Sequence, residues 1–112
     1  RAILSLMAPA EALARLKAVR RTAVTSFTVT DLAGLRAALD QARELGYALN
    51  NQEAFIGDLS VAAPLVDRQG HPLGAVNIAV PTPRWRLEDV LARLVPQLLK
   101  TAAAINREVR YL

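Results

Sequence analysis

The chain contains no cysteine, which excludes disulfides, thiolate zinc sites, iron–sulfur clusters and cysteine nucleophiles together and fits a reducing, cytoplasmic setting. It has a single histidine, His71, and neither a metal nor another cofactor is expected. Aromatic residues are scarce at 4%, so stacking on nucleobases is poorly supplied and a core has to be built from Ala, Leu and Val. No apolar run approaches the ~18 residues of a bilayer span, because a charged residue interrupts every candidate. No membrane partner is expected, and the opening Arg1 to Met7 has no signal-peptide pattern before Pro9.

A block of one charge sign is also missing. Fourteen basic residues against ten acidic ones give a net charge of +4, but the two signs are interleaved. Only Arg15-x-Lys17-x-x-Arg20-Arg21 and Arg84-x-Arg86 cluster, and they read as solvated faces rather than as a DNA footprint.

What is present is a chain of 112 residues that is 53% hydrophobic, enough for one domain with a core. Pro9 opens a short amphipathic helix over about 9–19, with Leu13, Leu16 and Val19 on one side. Thr22 to Thr30 has the composition of an extended segment, possibly at a sheet edge. Thr30-Asp31 then caps a helix whose Leu32, Leu35, Leu39, Ala42 and Leu45 recur at helical spacing until Gly46, a stripe expected to pack on a sheet. The separation between these two helices is too long for a helix-turn-helix.

After Gly46 the period falls to two. Tyr47 to Asn50, Leu59 to Asp67 and Leu73 to Val80 are strand candidates, the last two forming an antiparallel hairpin around Asp67-Arg-Gln-Gly70. Pro81 and Pro83 end the third strand. Leu87 to about Arg110 reads as a long helix with Leu91, Leu94, Leu98, Ala102, Ile105 and Val109 on one face, which Pro96 must kink or interrupt. The fold class is α+β, helices packed on a small antiparallel sheet.

Strand parity sorts the hairpin into two faces. Leu59, Val61, Ala63 and Leu65 with Gly74, Val76, Ile78 and Val80 are suited to lie beneath helices. Ser60, Ala62, Pro64 and Val66 with Leu73, Ala75, Asn77 and Ala79 are small and partly polar. Such a face is either solvated or leaves open volume for a small polar ligand, with Ser60, Asn77 and the neighbouring Asn50 supplying donors and acceptors.

These residues resemble a known family, the effector-binding domain of IclR-type bacterial transcriptional regulators, over nearly the whole chain. The resemblance is carried by Arg1-Ala-Ile-Leu-Ser5, by Thr25-x-x-Thr28-Val-Thr-Asp31 with Gly46-Tyr47-Ala48, and by Gly46-x-x-x-Asn50-x-x-Glu53 followed by Ser60-Val-Ala-Ala-Pro-Leu-Val-Asp67. The family usually has Asp or Ser where Asn50 stands and an aromatic or His where Val66 stands. The resemblance implies a GAF-like domain that binds a small carboxylic or aromatic acid through Asn50, Ser60, Asn77 and Ala79. It also implies a separate winged helix-turn-helix, absent from this chain, through which alone DNA would be contacted, and self-association as a dimer or tetramer. Ala75-Val-Asn77 with Arg84, and Leu94-Val-Pro96-Gln-Leu98 before Thr101-Ala-Ala-Ala-Ile105, are similar to the branch governing aromatic-acid catabolism.

Two other readings compete. An enzyme could use His71, Glu53 and Asp67, but no nucleophile elbow, P-loop or zinc-protease spacing accompanies them, and His71 beside Pro72 suits an exposed turn. An interaction module could use the leucines of the last helix as an oligomer interface instead of as core. Trp85 between Arg84 and Arg86 is either an interface anchor or a lid over the hairpin end.

Overall fold

The computed structural model describes residues 1–19, 21–82 and 84–109. Arg20 of the first basic cluster, Pro83, and Arg110, the expected helix end, lie outside the described residues. The elements in order are α1 (Ala2–Ser5), α2 (Pro9–Ala18), α3 (Leu32–Leu45), β1 (Ala48–Asn51), β2 (Asp58–Val66), β3 (Pro72–Pro81), α4 (Leu87–Asp89), a π turn (Val90–Leu94) and α5 (Val95–Val109).

Local chemistry explains the helix ends. Pro9 occupies the first turn of α2, where its missing N–H costs nothing. Asp31 caps α3 by accepting the Gly34 N–H at 2.7 Å, and Gly46 ends it in the left-handed region at φ 84° with its N–H donating to Ala42 O at 2.8 Å. Between α2 and α3 the expected extended segment pairs with no strand among the described residues. Its Thr hydroxyls compete with sheet formation by binding nearby main chain. Thr28 Oγ1 accepts from the Thr25 N–H at 2.9 Å, and Thr25 Oγ1 accepts from the Phe27 N–H at 3.0 Å. The same hydroxyls donate to the carbonyls of Glu53 and Gln52, which fastens this turn to the loop after β1.

The sheet has three antiparallel strands in the order β1-β2-β3. Ser60 faces Asn50 across one ladder and Ala79 across the other, and Ala62 lies opposite Asn77. The hairpin closes as the turn residues require, with the Asp67 N–H donating to His71 O at 3.0 Å and the Gly70 N–H to Asp67 O at 3.1 Å.

The two faces are covered unequally. Leu59, Val61 and Ala63 are buried with Val90, Val95, Leu98 and Ala102 beneath the π turn and α5, and Tyr47, Leu49, Val76, Ile78 and Trp85 pack around them. The opposite face is met by α1, where Ala2 packs with Ala48 and Ala62, and at β1 by Ala42 of α3. The α3 stripe departs from the expectation that it packs on the sheet. Leu39 is buried against Ala12 and Leu16 of α2, with Leu4, Met7, Leu32 and Leu35 around them, and only Ala42 approaches the sheet, at β1. The two amphipathic helices α2 and α3 bury their leucines on each other.

The last helix also departs from its expected stripe. Pro96 has no N–H to donate and its ring crowds the carbonyl four residues back, so the turn ahead of it widens and the Val95 N–H donates to Val90 O, five residues earlier. The extra residue shifts the helical phase. Val90 rather than Leu91 becomes fully buried, and Leu91 is 38% exposed. Trp85 belongs to the core's edge, its main-chain N–H donating to Pro81 O at 3.2 Å and the Arg93 guanidinium lying 5.3 Å from its ring centre. It therefore closes the end of the hairpin.

Candidate functional site

Beside α1, the small-residue face of the sheet leaves a groove of about 470 Å³, a size that suits a small ligand. Ala48, Ala62 and Ala75 line it together with Asn50, Ser60 and Asn77, and its remaining wall includes Arg1, Val24, Glu53 and Ala54. The volume exists because methyl groups stand where larger side chains would meet α1.

Three of the four expected site residues are brought to this groove. Ser60 is half-buried in β2 and Asn77 is exposed in β3. Among the described residues neither the Ser60 hydroxyl nor the Asn77 amide has a protein hydrogen-bond partner, so both are free for a ligand or water. Asn50 is already half committed. Its Oδ1 accepts the Glu53 N–H at 3.0 Å, which turns the chain out of β1 and leaves the Nδ2 donors uncommitted. Ala79 is exposed on the same side of β3, one pleat beyond Asn77 and opposite Ser60, and lies outside the groove lining.

The residues with the greatest structural consequence at this site are Arg1 and Glu53. The Arg1 guanidinium pairs with both carboxylate oxygens of Glu53 and donates to Leu49 O at 3.0 Å. Glu53 Oε1 also accepts the Val29 N–H at 3.1 Å. These side chains are only 23% and 13% exposed, so the pair is shielded from solvent. It ties α1, the threonine turn and the loop after β1 to one point. Arg1 and Glu53 also line a second cavity of about 400 Å³, with Leu45, Tyr47, Leu87 and Leu91 on its other sides. Glu53 is visible in sequence as the end of a motif, but no local spacing announces a partner so far away in the chain; covariation of the two positions is the signal that would.

The three candidates for acid–base chemistry are not assembled. Glu53 lies at one end of β2 and the Asp67/His71 turn at the other. His71 Nδ1 is 3.5 Å from Asp67 Oδ2 and its side chain is 76% exposed. Asp67 accepts the N–H groups of Gln69 and His71, both at 2.9 Å. The His71 N–H is the largest influence holding its carboxyl below the ordinary 3.8. A lowered folded pKa means that the unfolded chain binds the proton more readily, so the turn's contribution is complete above the unfolded value and fades as pH falls through the folded one. Carboxyl-carbon NMR is expected to show Asp67 titrating below 3.8, with faster exchange of the Gln69 and His71 amides as it protonates. A midpoint above 3.8 would contradict these hydrogen bonds. Among the described residues no helix is long and apolar enough to cross a membrane, and no cluster of His, Asp or Glu could hold a metal ion.

Comparison with known proteins places this geometry in a wider set. The family described as bacterial transcriptional regulator IclR C-terminal matches residues 1–107. The glycerol operon regulatory protein of Streptomyces griseus is 36% identical over 90 residues, 80% of this chain and 35% of that protein. The C-terminal domain of the Escherichia coli transcriptional regulator KdgR superposes with a TM-score of 0.88 at 30% identity, covering 96% of this chain and 65% of that one. The inducer-binding domain of PobR from Acinetobacter, a double mutant in complex with 3-hydroxybenzoic acid, has the same fold, with a TM-score of 0.87, 24% identity and coverage of 94% and 60%. The chain spans about a third of the length of its curated relative.

Proposed function

Since the chain belongs to the IclR family of bacterial transcriptional regulators and matches its C-terminal regulatory part, we propose that it senses a small organic or aromatic acid in the groove beside α1. The observation that carries this reading is the set of uncommitted polar atoms on one small-residue face, the Ser60 hydroxyl, the Asn77 amide and Asn50 Nδ2, around about 470 Å³ of open volume. Ser60 and Asn77 donate to the ligand's carboxylate, and Asn50 Nδ2 donates to a hydroxyl or carbonyl oxygen. Ala79 extends the same face beyond the groove and keeps its approach open.

In the whole protein, occupancy of the groove alters operator binding by a winged helix-turn-helix that precedes residue 1. The ligand shifts that equilibrium only by its differential affinity for two arrangements of a dimer or tetramer, and DNA in turn alters ligand affinity by the same factor. The domain binds its ligand without turnover, since Glu53 is held by Arg1 and the Asp67/His71 pair is at the far end of β2.

The S60A/N77A double variant tests the assignment by calorimetry, with 3-hydroxybenzoate, 4-hydroxybenzoate, benzoate and pyruvate as probes. Loss of two hydrogen bonds to a charged group is expected to weaken binding by about 100-fold, with the acid recovered unchanged after long incubation. Undiminished affinity in the variant, or conversion of the probe, would overturn the reading.

A further inference from the structure

The charge available to an acid in this groove comes from one residue. Of the residues that line it, Arg1 is the only cation and Glu53 the only anion among those described. A guanidinium has five N–H donors arranged as two carboxylate-sized forks and one remaining donor. Glu53 takes the end fork, Oε2 on Nη1 and Oε1 on Nη2, and Leu49 O takes the other Nη1 hydrogen. The side fork, Nε–H with the second Nη2 hydrogen, has no acceptor among the described residues. No side-chain nitrogen or oxygen there is both fully buried and unpartnered, so Nε remains within reach of solvent. Arg1 is thus fixed in position by Glu53 with a carboxylate-shaped edge unused.

We propose that Arg1 determines specificity for acids by holding the ligand's carboxylate on its Nε/Nη2 fork while its Nη1/Nη2 fork stays on Glu53. This rests on the acid-effector reading above and adds the residue that supplies the charge. The fork satisfies two of the roughly four acceptor sites of a carboxylate, and Ser60 and Asn77 meet the others. Asn50, whose Oδ1 already accepts the Glu53 N–H, offers its Nδ2 donors to the far end of the ligand. The class so defined is a small acid carrying a hydroxyl or carbonyl oxygen. Glu53 both orients Arg1 and competes for its charge, so affinity for an acid is set by the difference between those effects.

That competition has a sign a merely structural pair would not produce. Calorimetry with the acid panel, and with 3-hydroxybenzamide as the uncharged counterpart, compares the unaltered protein with R1K and E53Q. Lysine keeps the charge opposite Glu53 but has no fork, so R1K is expected to weaken acids by tenfold or more and the amide by less than about threefold. Glutamine removes the competing anion, so E53Q is expected to bind acids several-fold more tightly. Equal losses for acid and amide in R1K overturn the proposal, as does weaker acid binding by folded E53Q. Circular dichroism and a thermal melt establish that each variant is folded, and R1K decides the matter if E53Q is not. If no acid binds the unaltered protein, the acid-effector reading itself falls. If acids bind and only S60A/N77A weakens them, that reading stands and the role of Arg1 is refuted.

Discussion

Replacing Glu53 with alanine is expected to destabilise the protein by about 3 kcal/mol, the scale for breaking a shielded ion pair by removing one partner. The loss exceeds that of an exposed pair because Arg1, only 23% exposed, keeps Leu49 O as its one acceptor among the described residues, and the Val29 N–H loses its acceptor as well. The exposed Glu11–Arg15 pair of α2, with side chains 56% and 61% exposed, provides the contrast: E11A is expected to cost less than about 0.5 kcal/mol. Urea titrations of the two variants give the comparison directly. Equal midpoints would mean that the Arg1–Glu53 pair does not join α1 to the loops. The double replacement R1M/E53L, which removes both charges, should recover most of the stability.

Replacing Leu98 with alanine is expected to cost about 3 kcal/mol, from lost transfer energy and the cavity left among Leu59, Val61 and Val95. Leu98 is 1% exposed and sits where α5 crosses β2. L91A is the control for helix phase. Without the π turn Leu91 would share the buried stripe and its truncation would cost as much as L98A. With the turn it is 38% exposed, and a cost below about 1 kcal/mol is expected. Similar denaturation midpoints for L91A and L98A would place the extra residue of the turn elsewhere.

Much of the frame was legible because its signals are local. Proline at the start of α2, Asp31 before α3 and Gly46 after it act within a turn of the chain, and the hairpin's alternation survives in the structure as far as Leu65, where the register shifts before Val66 pairs with Pro72. Parity alone put Ser60 and Asn77 on one side and Leu59 and Val61 on the other. The threonine segment misled for a reason that is also physical. Threonine suits strands, but its hydroxyl can bind main chain, and here the carbonyls of Gln52 and Glu53 lie close enough to make that the better arrangement. Leu91 misled because a regular 3.6-residue period was carried through a proline-adjacent turn that does not keep it.

The sequence by itself determined the α+β class, the strands and their faces, and the absence of any cysteine. These follow from composition and from periods of two and 3.6 residues that need no knowledge of the partner surface. Only the tertiary structure decided that the α3 leucines face α2, that Asn50 spends its oxygen on Glu53, and that Arg1 and Glu53 meet beside the groove. Each of those outcomes depends on which of several chemically adequate partners the folded chain brings within reach, and that is a property of distance in space. With no cysteine in the chain, the groove's polar lining is Asn50, Ser60, Asn77 and the Arg1–Glu53 pair, and the fold places Arg1 in that lining.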